Sequence, residues 1–274
     1  MKTPKRYLVP GDYMADPSVH VWDGKLYIYP SHDWESGIEE NDNGDHFNMK
    51  DYHVFSLNGD NPMTAEVIDH GMVLEVADIP WAGRQLWDCE VARKDGKYYM
   101  YFGGLWGGQL QRYKDNKALE SAYLPEGKEP ALPGRVVRLS DDMLGFAEDP
   151  KPVIIVDEEG KPLTADNPYR FFEASWMHKY NGKYYFSYST GDTHHLCYAV
   201  GDSPYGPFTY KGVILTPVVG WTTHHSIVEY GGKWWLFHHD SVPSGGRTWL
   251  RSLKVCELTY NEDGTIQTIE GLDE

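Results

Sequence analysis

The chain has 274 residues and a formal net charge of −16 at pH 7. That acidity argues against a nucleic-acid partner, whose phosphates need a basic surface, and fits a neutral or cationic small one. Three cysteines, Cys89, Cys197 and Cys256, are too few and too scattered for a disulfide framework, and no apolar run approaches the ~18 residues of a membrane span.

At the N-terminus, Met1 to Pro10 carries lysines but no apolar stretch. No signal peptide is read there, and a cytoplasmic protein without membrane contact is expected. Next comes a unit that recurs. Asp16-Pro-Ser-Val leads to Asp23-Gly24-Lys25-Leu-Tyr-Ile-Tyr, and Asp88-Cys-Glu90-Val leads to Asp95-Gly96-Lys97-Tyr-Tyr-Met-Tyr. Glu173-Ala-Ser-Trp leads to Asn181-Gly182-Lys183-Tyr-Tyr-Phe, and His224-His-Ser-Ile leads to Gly231-Gly232-Lys233-Trp-Trp-Leu-Phe. The Asp-Gly, Asn-Gly and Gly-Gly pairs supply the positive φ of a tight hairpin turn, so each unit opens with an antiparallel hairpin.

A second strand marker follows each hairpin: Tyr52 to Leu57, Arg135 to Ser140, Leu196 to Gly201 and Leu250 to Val255. Each unit therefore has at least three strands. Sheets of that size repeated around an axis make a β-propeller. The expected fold is all-β, one β-propeller domain over residues 1–274, with four countable blade units and no long helix. The turn glycines are spaced by 72, 86 and 50 residues, which leaves polar insertions at 34–51 and 113–134. The first is either a wall of the pocket or a solvated loop. The tail from Asn261 through Gly264 to Ile266 reads as one more turn and strand.

In a propeller the innermost strands line a channel, so residues at one repeat position meet there. The leads are Asp16, Asp88, Glu173 and His224. Carboxylates brought together and desolvated have unequal pKa values, the requirement for an acid/base pair. Glycoside hydrolysis uses such a pair. Asp16 also precedes Pro17, an ordinary turn initiator. Glu173 sits between Phe171-Phe172 and Trp176, a costly setting for an idle carboxylate. Glu90 follows Asp88 by two residues, so both can face the channel. His224 and His225 cannot both do so, because adjacent strand residues point oppositely. The axial imidazole either binds a water-rich Ca²⁺ or hydrogen-bonds the carboxylates. An arginine near the acids, Arg251, would hold one of them ionised.

These segments resemble glycoside hydrolase family 43, in the branch of β-xylosidases and α-L-arabinofuranosidases. The resemblance spans nearly the whole chain. It is carried by Ala15 to His20 with Tyr27-Ile-Tyr-Pro-Ser-His32-Asp33, by Phe102-Gly-Gly-Leu-Trp-Gly-Gly-Gln-Leu-Gln111, by Phe171 to Lys183 and by Gly220 to Glu229. It implies an exo-acting, inverting hydrolase that removes xylose or arabinofuranose from a small oligosaccharide. By motif, Asp16 would be the general base and Glu173 the general acid. Asp88, or alternatively Glu90, would be the carboxylate that tunes the acid. Arg251, Trp87 and His32 would contact the sugar, and His224 would face a central Ca²⁺, with no organic cofactor. The family builds five blades, so this chain resembles one with a blade excised. That departure keeps alternatives open: a non-catalytic sugar-binding propeller, an inactive or engineered blade-deleted variant, or a homo-oligomer that fills the gap.

Overall fold

The computed structural model describes residues 3–41, 44–106, 124–221 and 223–272. These fall into two compact units. One comprises Pro4–Ala122 and Val219–Glu257, the other Met1–Thr3, Tyr123–Val218 and Leu258–Glu274.

The first unit holds three antiparallel sheets. Strands β2 (Met14–Trp22), β3 (Lys25–Asp33), β4 (Met49–Asn58) and β5 (Glu66–Glu75) form a four-stranded meander in that order. Strands β6 (Ala82–Lys94) and β7 (Lys97–Trp106) form a hairpin. The third sheet has the order β1-β17-β16-β15, built from β15 (His225–Tyr230), β16 (Lys233–Asp240), β17 (Ser252–Leu258) and the short β1 (Lys5–Tyr7). Apolar residues alternate along these strands, and one face of each sheet packs on a neighbour. Met14, Val19, Leu26, Ile28 and Phe55 of the meander meet Trp235, Phe237, Leu253 and Val255 in one core. Tyr29, Tyr52, Leu86, Cys89 and Val91 make a second core beneath the β6–β7 hairpin.

The other unit carries a five-stranded sheet. It consists of β10 (Ile155–Val156), β11 (Glu173–Tyr180), β12 (Lys183–Ser189), β13 (Leu196–Gly201) and β14 (Phe208–Leu215), in the order β10-β14-β13-β12-β11. Only β10 is parallel to its neighbour. Strands β8 (Gly134–Val136) and β9 (Lys151–Val153) make a small separate pair. Phe186, Tyr188, Cys197, Ala199 and Phe208 pack here with Val153, Ile155 and Leu163.

All four hairpins form as the turn chemistry requires. Asp23-Gly24, Asp95-Gly96, Asn181-Gly182 and Gly231-Gly232 have positive φ at both central residues. The three cysteines are buried and free. The structure differs from expectation in three places. The strand read at Arg135–Ser140 shrinks to β8 and pairs with β9, leaving β6 and β7 as a two-stranded sheet among the described residues. Its run stops early because the chain turns back at once, with Ser140 N–H bonding to the Gly145 carbonyl at 2.8 Å. The tail beyond Leu258 makes its turn but pairs only through single bridges, Tyr260 to Ile266 and Leu215 to Ile269. Finally, β1 closes the last sheet of its unit by pairing with β17; three residues are too short a run to read as a strand. The insertion expected at 113–134 lies outside the described residues as far as 123.

The fourth turn is Gly-Gly for a steric reason. A Cβ on Gly231 would lie 2.2 Å from the Asp60 carbonyl oxygen, whereas one on Gly24 would meet nothing within 4 Å. Both glycines have positive φ, so both alanine variants carry the same kind of backbone strain. Gly231→Ala should therefore cost ~2 kcal/mol more than Gly24→Ala in urea unfolding, through overpacking against backbone.

Candidate active site

The site in the first unit is built on a defect in β2. The pairing of β2 with β3 skips between Ala15 and Ser18, so Asp16-Pro17 bulges out, with Asp16 at φ 50°. A bulge re-aims a side chain at the price of local strain. Ser226, from the His-His-Ser run, holds it there: its hydroxyl donates to the Pro17 carbonyl at 2.5 Å and accepts from Val19 N–H at 3.1 Å. Asp16 is thereby driven into the interior, where it is 4% exposed.

A buried carboxylate needs partners, and five groups supply them. Arg251 donates from Nη1 to Asp16 Oδ1 at 2.7 Å, and the Ser31 hydroxyl donates to Oδ2 at 2.6 Å. The backbone N–H of Asp16 donates to His239 Nδ1 at 3.1 Å, which fixes that nitrogen as an acceptor. The Nδ1 atoms of His224 and His239 each lie 3.7 Å from Asp16 Oδ1. Asp33 is the fifth, and it acts through the arginine. The Arg251 backbone N–H and Nε donate to Asp33 Oδ2 at 2.9 and 2.8 Å, and Nη2 donates to Oδ1 at 2.7 Å. Arg251 itself is 3% exposed, and its guanidinium lies against the Phe47 ring at 5.4 Å.

Two carboxylates thus share one buried guanidinium. Burial pushes Asp16 up, but the charge of Arg251, with His224 and the Ser31 hydroxyl behind it, outweighs it. Asp16 is held well below the usual carboxylate range. Burial pushes Asp33 up against the pull of Arg251. Asp16 is therefore an ionised carboxylate, oriented by its donors and buried in the interior.

The other expected residues are placed as follows. Glu173 is the first residue of β11 in the other unit, half-buried and paired with Ser189 just before a bulge in which Ala174 has φ 59°. Asp88 is exposed in a comparable bulge of β6, between Leu86 and Cys89. Glu90 reaches β2, accepting from the Ser18 hydroxyl at 2.9 Å and meeting His20 Nε2 at 2.8 Å. Trp87 is half-buried near Phe47, and its carbonyl accepts from the Tyr52 hydroxyl. His32 does not join Asp16. It pairs through Nδ1 with Asp51 at 2.6 Å and through Nε2 with Asp12 at 3.1 Å. Burial alone would lower the His32 pKa, but the bonds to both aspartates raise it to about 9.

Sequence reasoning gave no role to Asp33, Ser31 or His239. Asp33 lies in the quoted Tyr27–Asp33 run and His239 in the His238-His239 pair, so only their contacts were illegible. As for Ca²⁺, the Asp16 oxygens already accept from Arg251 and Ser31, and the remaining donors are imidazoles. That set fits a dication held largely by water, with His224 as its protein contact; it does not fit a cage of protein oxygens.

Comparison with known proteins bears on this geometry. The model of "Glycosyl hydrolases family 43" matches residues 120–266. A xylosidase/arabinosidase of Bacteroides ovatus is 66% identical, with all of both chains covered. The structure of RS223 β-xylosidase superposes with a TM-score of 0.90 at 62% identity, covering 98% of this chain and 99% of that one. A β-xylosidase/α-arabinofuranosidase from a compost metagenome, solved with xylotriose in a calcium-free form, gives 0.88 at 50% identity over 100% and 99% of the two chains. The fold class is accordingly the all-β propeller of these structures. One difference stands out. The Bacteroides alignment runs over 327 positions, whereas this chain has 274 residues, so 53 positions are occupied in the relative alone.

The doubly bonded His32 gives a stability test. Its proton is held more tightly in the folded state, about 9 against an ordinary ~6.5. The stabilisation is therefore full below ~pH 6.5 and is lost as pH rises through about 9. Wild-type unfolding free energy should fall by ~2–3 kcal/mol over that window, and His32→Gln should show no such slope.

Proposed function

The chain belongs to glycosyl hydrolase family 43, and from that premise we propose an exo-acting, inverting β-xylosidase that also accepts α-L-arabinofuranosides. The observation that carries this reading is Asp16, buried and ionised among Arg251, Ser31 and His239. The activities of the similar proteins, xylosidase/arabinosidase and β-xylosidase, supply the substrate class.

In the proposed reaction Glu173 gives its proton to the glycosidic oxygen as the bond to the anomeric carbon breaks. Asp16 takes a proton from water as that water attacks the opposite face of the sugar. Inversion requires the two carboxyls to stand ~6.5–9.5 Å apart, with the water between them. Arg251 and Ser31 fix the direction of the Asp16 lone pairs, and Arg251 keeps the carboxylate unprotonated between turnovers. Asp33 holds Arg251 against that task. Trp87, half-buried beside Phe47, would offer an aromatic face for the sugar. Asp88 or Glu90 tunes Glu173, and the exposure of Asp88 leaves it accessible to a ligand. His224 would hold a hydrated Ca²⁺, which when bound supplies positive charge near the reacting sugar.

Two expectations follow. On p-nitrophenyl β-xyloside, Asp16→Asn should lose ~10³-fold or more in kcat; general base catalysis alone is worth ~10²–10⁴. Glu173→Gln should lose far more on xylobiose than on the aryl glycoside, whose leaving group needs no proton. NMR of early product should show α-xylose. Wild-type turnover of Asp16→Asn on the aryl glycoside or of Glu173→Gln on xylobiose, or β-xylose as first product, would refute the assignment. For the metal, EDTA-treated enzyme should regain activity ~2–10-fold with Ca²⁺, less in His224→Ala, as expected for one electrostatic contact. No response in wild type would remove the ion from the account.

A further inference from the structure

A second cluster lies on the β3–β4 pair and shares no residue with the Asp16 site. His32 on β3 stands directly opposite Asp51 on β4, and His53 follows two residues along β4. Residues i and i+2 of a strand share a face, so the three side chains converge on a rigid patch within a four-stranded sheet. One ligand atom from each of the three lies within 4.8 Å of the others. His32 Nδ1 is 2.6 Å and His53 Nε2 is 3.8 Å from the same oxygen, Asp51 Oδ1.

The surroundings of the two rings are alike. Each imidazole turns one nitrogen to Asp51 Oδ1 and has the other nitrogen engaged by its own carboxylate. For His32 that is Asp12, 3.1 Å from Nε2; for His53 it is Asp69, 3.3 Å from Nδ1. The second oxygen of Asp51 accepts from Trp34 Nε1 at 3.2 Å, which aims Oδ1 between the rings. The rings stand edge to face, with centroids 5.0 Å apart. Carboxylates on the far nitrogens of two histidines that converge on a third ligand are the outer shell that orients metal-binding imidazoles. The His53 side chain is 18% exposed, so the patch is reachable from solvent.

We propose that His32, Asp51 and His53 form a binding site for a transition-metal dication of the zinc, nickel and copper class. Two imidazoles and one carboxylate suit such ions; Ca²⁺ takes oxygen ligands instead. The ion would sit between His32 Nδ1, His53 Nε2 and Asp51 Oδ1, opening the short His32–Asp51 contact and releasing the Nδ1 proton to solvent, and water would complete its shell. Asp12 and Asp69 are positioning residues for the two rings.

The test uses the full chain without an affinity tag, after EDTA treatment and desalting. One equivalent of Cu²⁺ should give an electron paramagnetic resonance spectrum with superhyperfine coupling to two imidazole nitrogens. Calorimetry should find one Zn²⁺ site tighter than ~10 µM. His53→Ala should leave coupling to one nitrogen and weaken Zn²⁺ at least tenfold. Asp69→Asn, which keeps all three ligands, should weaken it by ~10-fold, the scale of lost outer-shell support. His224→Ala should leave both readouts unchanged. Circular dichroism checks that each variant folds, and Asp69→Asn carries the test if His53→Ala does not. The proposal is overturned if wild type shows no site tighter than ~100 µM, if Asp69→Asn binds like wild type, or if His224→Ala abolishes the signal.

Discussion

The buried cluster built around Asp16 depends on one guanidinium. Arg251 stands between two buried aspartates and donates to both. Removing either carboxylate from water is costly, and their mutual repulsion adds to that cost. The arrangement persists because every charged oxygen of the pair has a named donor: Arg251 for both oxygens of Asp33, and Arg251 and Ser31 for those of Asp16. Removing one member of such a cluster leaves an uncompensated buried charge, typically a loss of ~3–5 kcal/mol. The same cluster keeps Asp16 ionised, so its charge state and the stability of this unit rest on the same contacts.

The scaffold brings those groups together from distant parts of the chain. Asp16 comes from a bulge in β2, Asp33 from the end of β3, His239 from β16 and Arg251 from the residue before β17. The sheet that carries His239 also takes its edge strand, β1, from near the N-terminus. A second buried ion pair supports that edge. Lys254 donates to Asp240 at 2.9 Å, and the Tyr7 hydroxyl of β1 donates to the same carboxylate at 2.9 Å. Burial, then the Asp240 charge, pushes the Tyr7 phenol up to about 12, so it remains a neutral donor at any physiological pH. Docking β1 thus stabilises the sheet that holds His239 and leads into Arg251.

Much of this is written in local sequence. The four turn dipeptides need positive φ wherever they occur, so the hairpins were legible without tertiary information. Asp16 stood out because a polar lead recurs eight or nine residues before each turn glycine. Asp33 and His239 were not, because their importance lies in contacts 218 and 223 residues away along the chain. His32 shows the converse. It sits next to Asp33 in a run that marks the family, yet its two nitrogens are committed to Asp12 and Asp51. The β6–β7 hairpin shows where local sequence stops being informative. Its turn and pairing are intact, but the strand that should have extended its sheet pairs with β9 instead.

The central claim is that Asp16 is a carboxylate held ionised in a dry site by Arg251. It is tested most directly by ¹³C NMR of the aspartate carboxyl carbons, with the Asp16 resonance assigned by its loss in Asp16→Asn. Between pH 8 and pH 3 the account predicts a constant chemical shift for Asp16, in the ionised range. A titration with a midpoint at or above the ordinary aspartate value of ~3.9 would contradict it.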